Sequence, residues 1–334
     1  MNDDAEFPPG YLKQSRVPHI LIGNITCQIF GSLVVLARVL SRLSVSHSWR
    51  FEDDVLVAAW VLGTVFSTLQ YIQVALGSGY HIEAVNPANI PKQQVTIYVS
   101  QILIVITLPF TKLGICLTYL RIFYSEKQGR RLIKGVLVLL FISFFPNLIM
   151  VIFQCKPISA FWTERPPTPK CIDSRPSFFL NGVLNIVCDI ALIAIVLPRV
   201  IHLRLNGRQK IAVIGIVMLG LLAVIAGIAR MVRVGRVLSS RKIDPWDLYD
   251  VSIWTSTEIN ATLICAAAPG VKPLISKLFP RLLGTSYRSR TGTAPSDTIG
   301  SSTYRHRLSI VEQNESVSMT GLTEQGATRP AVYA

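Results

Sequence analysis

The sequence predicts an all-α membrane protein: a seven-transmembrane-helix bundle with its N-terminus outside and its C-terminus cytosolic. Three observations predict it. Long apolar stretches recur through the first 275 residues, Lys and Arg alternate between the intervening loops, and the few polar residues inside the stretches fall on single helical faces. Half of the residues are hydrophobic and mean hydropathy is +0.45. A soluble helical core is excluded because its helices would each carry a polar face.

A bilayer core of ~30 Å needs about 20 apolar residues in a helix. The spans read Ile20–Leu40, Val55–Leu76, Val95–Leu120, Leu132–Phe153, Phe178–Val200, Ile211–Ala229 and Val251–Val271. Backbone groups in lipid must be satisfied within the segment, which makes each span a helix. The membrane domain therefore covers residues 20–283, between a short outer tail (1–19) and a Ser/Thr-rich tail (284–334). The latter has too few large apolar residues to offset its ordering entropy, so it is expected to be disordered, cytosolic and open to phosphorylation. The acidic start, MNDDAEF, is unlike a cleavable signal peptide.

Orientation follows from the positive-inside rule. Arg38, Arg42, Arg50, Arg121, Lys127, Arg130, Arg131, Lys134, Arg199, Arg204, Arg208, Lys210, Lys272, Lys277, Arg281, Arg288 and Arg290 lie on one side, 17 basic residues in all. The other side has 12, five of them in the loop after the sixth span (Arg230, Arg233, Arg236, Arg241 and Lys242), offset there by Asp244, Asp247 and Asp250. The net charge of +14 is thus a topology signal. It gives the cytosolic face an affinity for anionic lipid but forms no soluble basic patch for nucleic acid.

Of six cysteines, Cys27, Cys116, Cys188 and Cys265 lie inside spans as small apolar packing residues. Cys155 and Cys171 bracket the outer loop between spans four and five, where an oxidising compartment predicts a disulfide. No spacing suits a metal. The Asn-x-Ser/Thr sites at Asn24, Asn260 and Asn314 lie in spans or the cytosolic tail, so no N-glycosylation is expected.

Ionisable groups at membrane depth are costly and mark function or interhelical bonding. Asn181, Asn185 and Asp189 share a face of the fifth span; Ser252, Thr255, Glu258, Thr262 and Cys265 share one on the seventh. Tyr98, Gln101 and Lys112 lie on the third span, and Thr64, Ser67 and Tyr71 on the second. Lys112 lies ~12 Å from the cytosolic end of its span and Asp189 ~16 Å from the end of its own, at 1.5 Å per residue, so the two can pair. Glu258 and Arg230, both nearer the outer face, form a second candidate pair. The stripes serve as interhelical glue, as a ligand pocket (Tyr98, Gln101, Lys112, Asn181, Asn185, Asp189, Thr255 and Glu258), or for proton or ion passage. At the inner ends of the first two spans, Arg38 and Arg42 face Asp53 and Asp54, a structural clasp. In the outer loop Gly77–Gly79, His81 is a hydrogen-bonded loop residue, a pH-sensitive contact or a metal ligand. Gly220, Ala223 and Gly227 form a small-residue packing stripe.

Several ordered blocks carry a family likeness: Arg38…Arg42…Asp53-Asp54; Gly77-Ser-Gly79-Tyr-His81; Lys112-Leu-Gly-Ile-Cys-Leu-Thr-Tyr-Leu-Arg-Ile-Phe123; Cys155-Lys-Pro-Ile-Ser-Ala-Phe-Trp162…Cys171; Asn185…Asp189…Leu197-Pro198; Trp254…Glu258; and Pro269…Lys272-Pro273. Over residues 20–283 the chain resembles the fungal rhodopsin-domain integral membrane proteins, the family that includes the satratoxin-cluster membrane protein. The resemblance implies a fungal seven-helix protein of the plasma membrane or endoplasmic reticulum. It also implies kinship with receptor-like proteins of surface sensing and with members encoded in secondary-metabolite clusters. Some sensing relatives carry an outer eight-cysteine domain; the outer tail here has no cysteine. Retinal is not expected as a cofactor, because the last span has no lysine before Lys272 at its end. Animal-type receptor signatures are missing too: the third span ends Leu-Arg-Ile-Phe, and the last lacks Asn-Pro-x-x-Tyr.

Three functions compete. The favoured one is a receptor-like or accessory protein that binds a small apolar metabolite and meets a cytosolic signalling partner. The second is a membrane-embedded enzyme, in which Glu258 or Asp189, kept as a neutral acid in a low-dielectric site, protonates an alkene or epoxide to start a cyclisation or isomerisation. A transporter is least favoured, since no internal repeat or matched pair of broken helices is visible.

Overall fold

The computed structural model describes residues 14–124, 126–164, 170–173, 175–202, 207–239, 246 and 248–278. Their regular structure is helical: α1 (Val17–Leu40), a π-turn (Ser41–Val45), α2 (Phe51–Ala75), α3 (Ile90–Ile122), α4 (Lys127–Ile152), the single turn α5 (Ala160–Thr163), α6 (Arg175–His202), α7 (Gly207–Ser239) and α8 (Leu248–Leu278). Outer-tail residues 1–13 and the tail 284–334, expected to be disordered, lie outside the described residues.

Among the described residues, six segments are long and apolar enough to cross a bilayer: Val17–Val45, Phe51–Ala75, Pro87–Ile122, Lys127–Ile152, Arg175–Arg199 and Ile214–Val237. The stretch read as the seventh span is helix α8, which is not among these six. Ser252, Thr255, Ser256, Thr257, Glu258, Asn260 and Thr262 crowd its middle. It tolerates them because it packs against α1, α2, α3 and α7, and Thr255, Ser256, Glu258, Asn260 and Thr262 are all buried.

The long helices form a closed ring. Each packs on its chain neighbour, α4 meets α6, and α8 closes back onto α1, while α3 also touches α8 across the interior. A cluster including Val35, Leu56, Phe66, Leu108, Ile115, Ile133, Leu192, Ile259 and Leu263 fills the centre. The polarity of the whole is inverted relative to a soluble domain. Arg38, Lys112 and Glu258 are at most 1 % exposed, whereas Ile22, Phe30 and Ile142 are 64–65 % exposed. Water would penalise that arrangement on both counts; a hydrocarbon surround favours it. Lipid bilayer is therefore the medium of this bundle.

Glycines set the closest approaches. A Cβ at Gly31 would overlap the Asn260 carboxamide, so α8 lies directly against α1 there. In the α7 stripe, a Cβ at Gly220 would meet Ile193 at 3.2 Å, and one at Gly227 would meet Glu258 at 3.5 Å. These are small-residue contacts of the kind that let membrane helices approach.

The sixth span runs further than Ala229. Arg230, Arg233 and Arg236 belong to α7 and not to a loop. Partners explain the extension: Arg230 meets Glu258 at 2.8 Å and Arg233 meets Asp250 at 2.6 Å, so these charges do not terminate the helix. Arg241 and Lys242 lie outside the described residues.

Cys155 and Cys171 form a disulfide, S–S 2.01 Å, flanked by backbone bonds from Lys156 to Lys170 and from Ile172 to Gln154. Within the closed loop, the α5 residues Phe161 and Trp162 sit 5.4 and 6.0 Å from the Tyr98 ring. The loop thus caps the N-terminal end of α3. Closing a loop of 16 residues restricts the unfolded chain by about 3 kcal/mol. Cys155→Ser with Cys171→Ser is expected to lower the thermal midpoint accordingly, read by thiol-independent fluorescence in detergent; an unchanged midpoint would show the bond to be dispensable.

Candidate functional site

The buried charges of four helices meet in one chain of contacts. Lys112 on α3 donates through Nζ to the backbone oxygen and to Oδ1 of Asn185 on α6, both at 2.7 Å. The same Nζ pairs with Asp189 Oδ2 at 2.9 Å. Asn185 and Asp189 are one helical turn apart, so both reach one lysine. Asn185 then donates through Nδ2 to Glu258 Oε1 on α8 at 2.6 Å. Arg230 on α7 donates through Nε to Glu258 Oε2 at 2.8 Å. Two cations and two carboxylates cancel, which is what allows them to persist in a low dielectric.

Both pairs anticipated from depth are therefore present, Lys112–Asp189 and Glu258–Arg230. The sequence did not reveal that the Asn185 carboxamide joins them into a single network. Of the other candidate ligand residues, Asn181 lies beside this network. Tyr98 and Gln101 do not: they stand ~21 and ~16 Å further along α3. There Tyr98 donates to the Ile152 carbonyl at 2.8 Å, and Gln101 accepts from Gln154 at 3.2 Å. Thr255 is buried but bonds its own helix at Val251.

Two small cavities flank the network. One, about 30 Å³, lies between α3, α4 and α6, with Lys112, Asn185, Asn181 and Asn147 on its wall. The other, about 40 Å³, is bounded by Asp189, Thr262, Cys265, Tyr119 and Gly220. Each has room for water. Asn147 is absent from the residues singled out in the sequence; its only signal is a lone carboxamide in the apolar stretch Phe144–Phe153. A second polar cluster, also missed in part, joins α1 to α2 and α8. Gln28 bonds Thr64 (2.9 Å) and accepts from Ser67 (3.0 Å), and Asn24 donates to Ser252 (2.9 Å).

At the C-terminal end of α1 the clasp exists with one change of membership. Arg38 grips Asp53 Oδ1 through Nε and Nη2 at 2.8 and 2.7 Å and donates to the Ala266 carbonyl at 2.7 Å. Arg42 reaches Asp53 Oδ2 and Glu52 Oε1, both at 3.4 Å. Asp54 is not part of it: it is exposed and accepts from Trp49 Nε1 at 2.7 Å. Successive helical residues turn by ~100°, which carries Asp54 outward and brings Glu52 to the cations instead. Arg121 on α3 also reaches Glu52, at 2.7 Å.

His81, in the connection from α2 to α3, is buried and stacks on Trp246, ring centroids 4.0 Å apart. The Arg16 guanidinium lies 4.2 Å from the same Trp246 ring. Among the described residues, no group of three His, Cys, Asp or Glu side chains converges to hold a metal.

Known proteins resemble this chain in the same terms. The family model for the fungal rhodopsin domain matches residues 37–277. A SAT4 family membrane protein of Emericella nidulans is 27% identical over 218 residues, 64% of this chain and 54% of that protein. Receptor GIN3 of Arthrobotrys oligospora is 25% identical over 281 residues, 82% of this chain and 67% of the receptor. Fugralins biosynthesis cluster protein 2 of Gibberella zeae is 21% identical over 263 residues, 76% of this chain and 64% of its own length. This chain thus spans between half and two thirds of these relatives. No solved structure matches it significantly. With the match covering most of the chain, including both ends of the buried network, the protein belongs to the fungal rhodopsin domain family.

Proposed function

We propose that this protein is a receptor-like or accessory membrane protein that responds to a small apolar metabolite, and that it serves a secondary-metabolite pathway. In this reading α8 is the seventh span, the N-terminus is outside and the C-terminus cytosolic, in the plasma membrane or endoplasmic reticulum. The observation that carries it is the neutral network Asp189–Lys112–Asn185–Glu258–Arg230. It links four helices and borders two cavities, so occupancy of a cavity can bias how the helices pack.

Other observations support the parts. α8 is shielded by its neighbours, so its polar face need not meet lipid. Arg230 and Arg233 are neutralised by Glu258 and Asp250, and discounting them strengthens the basic excess on the other side. The inner basic loops would meet a cytosolic signalling partner. One relative is called a receptor and another a biosynthesis cluster protein. No cofactor is proposed: Lys112 is engaged by Asn185 and Asp189, and α8 has lysines only towards its C-terminal end. The enzyme alternative is less supported, because Glu258 is wholly buried with both of its oxygens accepting from donors, and Asp189, which borders the second cavity, is paired with Lys112.

The test is untargeted mass spectrometry of metabolites from a deletion strain beside its parent. A whole pathway rising or falling together supports sensing. Loss of one product, with a precursor that microsomes carrying the protein convert, would replace this reading with the enzyme. Glu258→Gln microsomes that kept turnover would then take that carboxylate out of the reaction.

A further inference from the structure

The cleft between α3, α4 and α6 contains an unmet hydrogen-bonding demand. Asn147 on α4 is nine-tenths buried, and half-buried Asn181 on α6 lines the same cleft. Among the described residues neither carboxamide bonds another protein group, although a polar group left unpaired in the interior costs free energy. Pro109 also lines the cleft and has no N–H to give the carbonyl of Val105, another lining residue. The two carboxamides therefore bring donors and acceptors to a cavity of about 30 Å³.

We infer that this cleft binds the hydroxyl or carbonyl head of a neutral apolar ligand entering sideways from the bilayer; the inference rests on the receptor-like reading and names its ligand class. Neutrality follows from Lys112. Its ammonium bonds the Asn185 backbone oxygen and Asn185 Oδ1 and is charge-paired with Asp189, so an anionic head finds no free cation. A carboxamide offers both a donor and an acceptor, which matches an uncharged oxygen function. The cavity holds a head group and not a ring system, so the ligand's body extends out of it past the apolar lining of Ile104, Val105 and Phe144 into the bilayer. Entry through lipid suits α4, the least buried of the six apolar helices. A bound head would touch Asn185, one hydrogen bond from Glu258 and two from Arg230.

The probe is 1-hexadecanol carrying a mid-chain diazirine and a terminal alkyne, compared with the matching fatty acid and hydrocarbon. Full-length protein in phosphatidylcholine vesicles is photolysed and its labelled peptides are mapped. The alcohol alone is expected to concentrate label in segments 104–109, 140–147 and 181–188. In Asn147→Leu with Asn181→Leu that label falls about tenfold, the effect of losing two hydrogen bonds, while the thermal midpoint holds or rises. Equal labelling in the variant, or no preference of alcohol over hydrocarbon, would mean a structural water only and overturn the site. A lowered midpoint would mean the carboxamides are interhelical glue and would also overturn it. The receptor-like reading stands or falls separately, on the metabolite profile of the deletion strain.

Discussion

Lys112→Met is expected to destabilise the bundle by about 3–5 kcal/mol, the cost of stranding one member of a buried ion pair. Lys112 is 1 % exposed, and its ammonium is the shared donor for Asp189 and for both oxygens of Asn185. Removing it leaves a carboxylate without its cation and a carboxamide oxygen without its donor. The methionine stem fills most of the volume, so the loss measures electrostatics more than packing. Adding Asp189→Leu should return most of it, because replacing both members of a buried pair with apolar residues is often nearly neutral. Unfolding midpoints of parent, single and double variants in one detergent decide the matter. A single variant within ~0.5 kcal/mol of the parent would show that the pair contributes nothing.

The same double variant separates two uses of the network. Stability regained together with metabolite response would make the network glue. Stability regained without response would make it the element through which ligand occupancy acts. Glu258 and Arg230 remain in place in either case, and their pairing at 2.8 Å keeps α7 on α8 while α3 is altered.

Much of this is legible in the chain because membrane helices simplify the reading. Apolar run length marks the spans, and 1.5 Å per residue turns a position into a depth; depth alone matches Lys112 with Asp189 and Arg230 with Glu258. Rotation about the helix axis is harder to read. Asp54 and Glu52 are two residues apart and nearly level, yet only Glu52 turns toward the arginines. Tyr98 and Gln101 share a helix with Lys112, but distance along α3 removes them towards its capped N-terminal end. Helix ends are misjudged where a charge has a partner: Arg230 reads as a loop residue until Glu258 is placed beside it. Asn147 is hidden for the opposite reason, since a lone carboxamide among phenylalanines gives no pattern to detect. The π-turn after Leu40 likewise has no periodic signature, although it carries Arg42.

The clasp gives the second large effect, and its members should not be equal. Arg38 is 1 % exposed and joins three helices: it lies on α1, grips Asp53 on α2 and donates to Ala266 on α8. A Cβ at Gly270 would stand 2.9 Å from its side-chain stem, so α8 is shaped around it. Arg38→Met strands Asp53 with only Arg42 at 3.4 Å, and about 3 kcal/mol or more should be lost. Arg38→Lys keeps the charge but not the fork that reaches Asp53 and Ala266 together, so it should recover only part. Arg42→Met should cost about 1 kcal/mol, since both of its contacts are long and Arg38 still holds Asp53. Arg121 meets Glu52 from a partly exposed position, where solvent reduces a pair to about 0–1 kcal/mol. The expected order of midpoints is therefore Arg121→Met highest, then Arg42→Met, then Arg38→Met. Equal losses at Arg38 and Arg42 would mean the clasp acts as a diffuse charge cluster; the ranked loss is what a single buried guanidinium tying α1, α2 and α8 together requires.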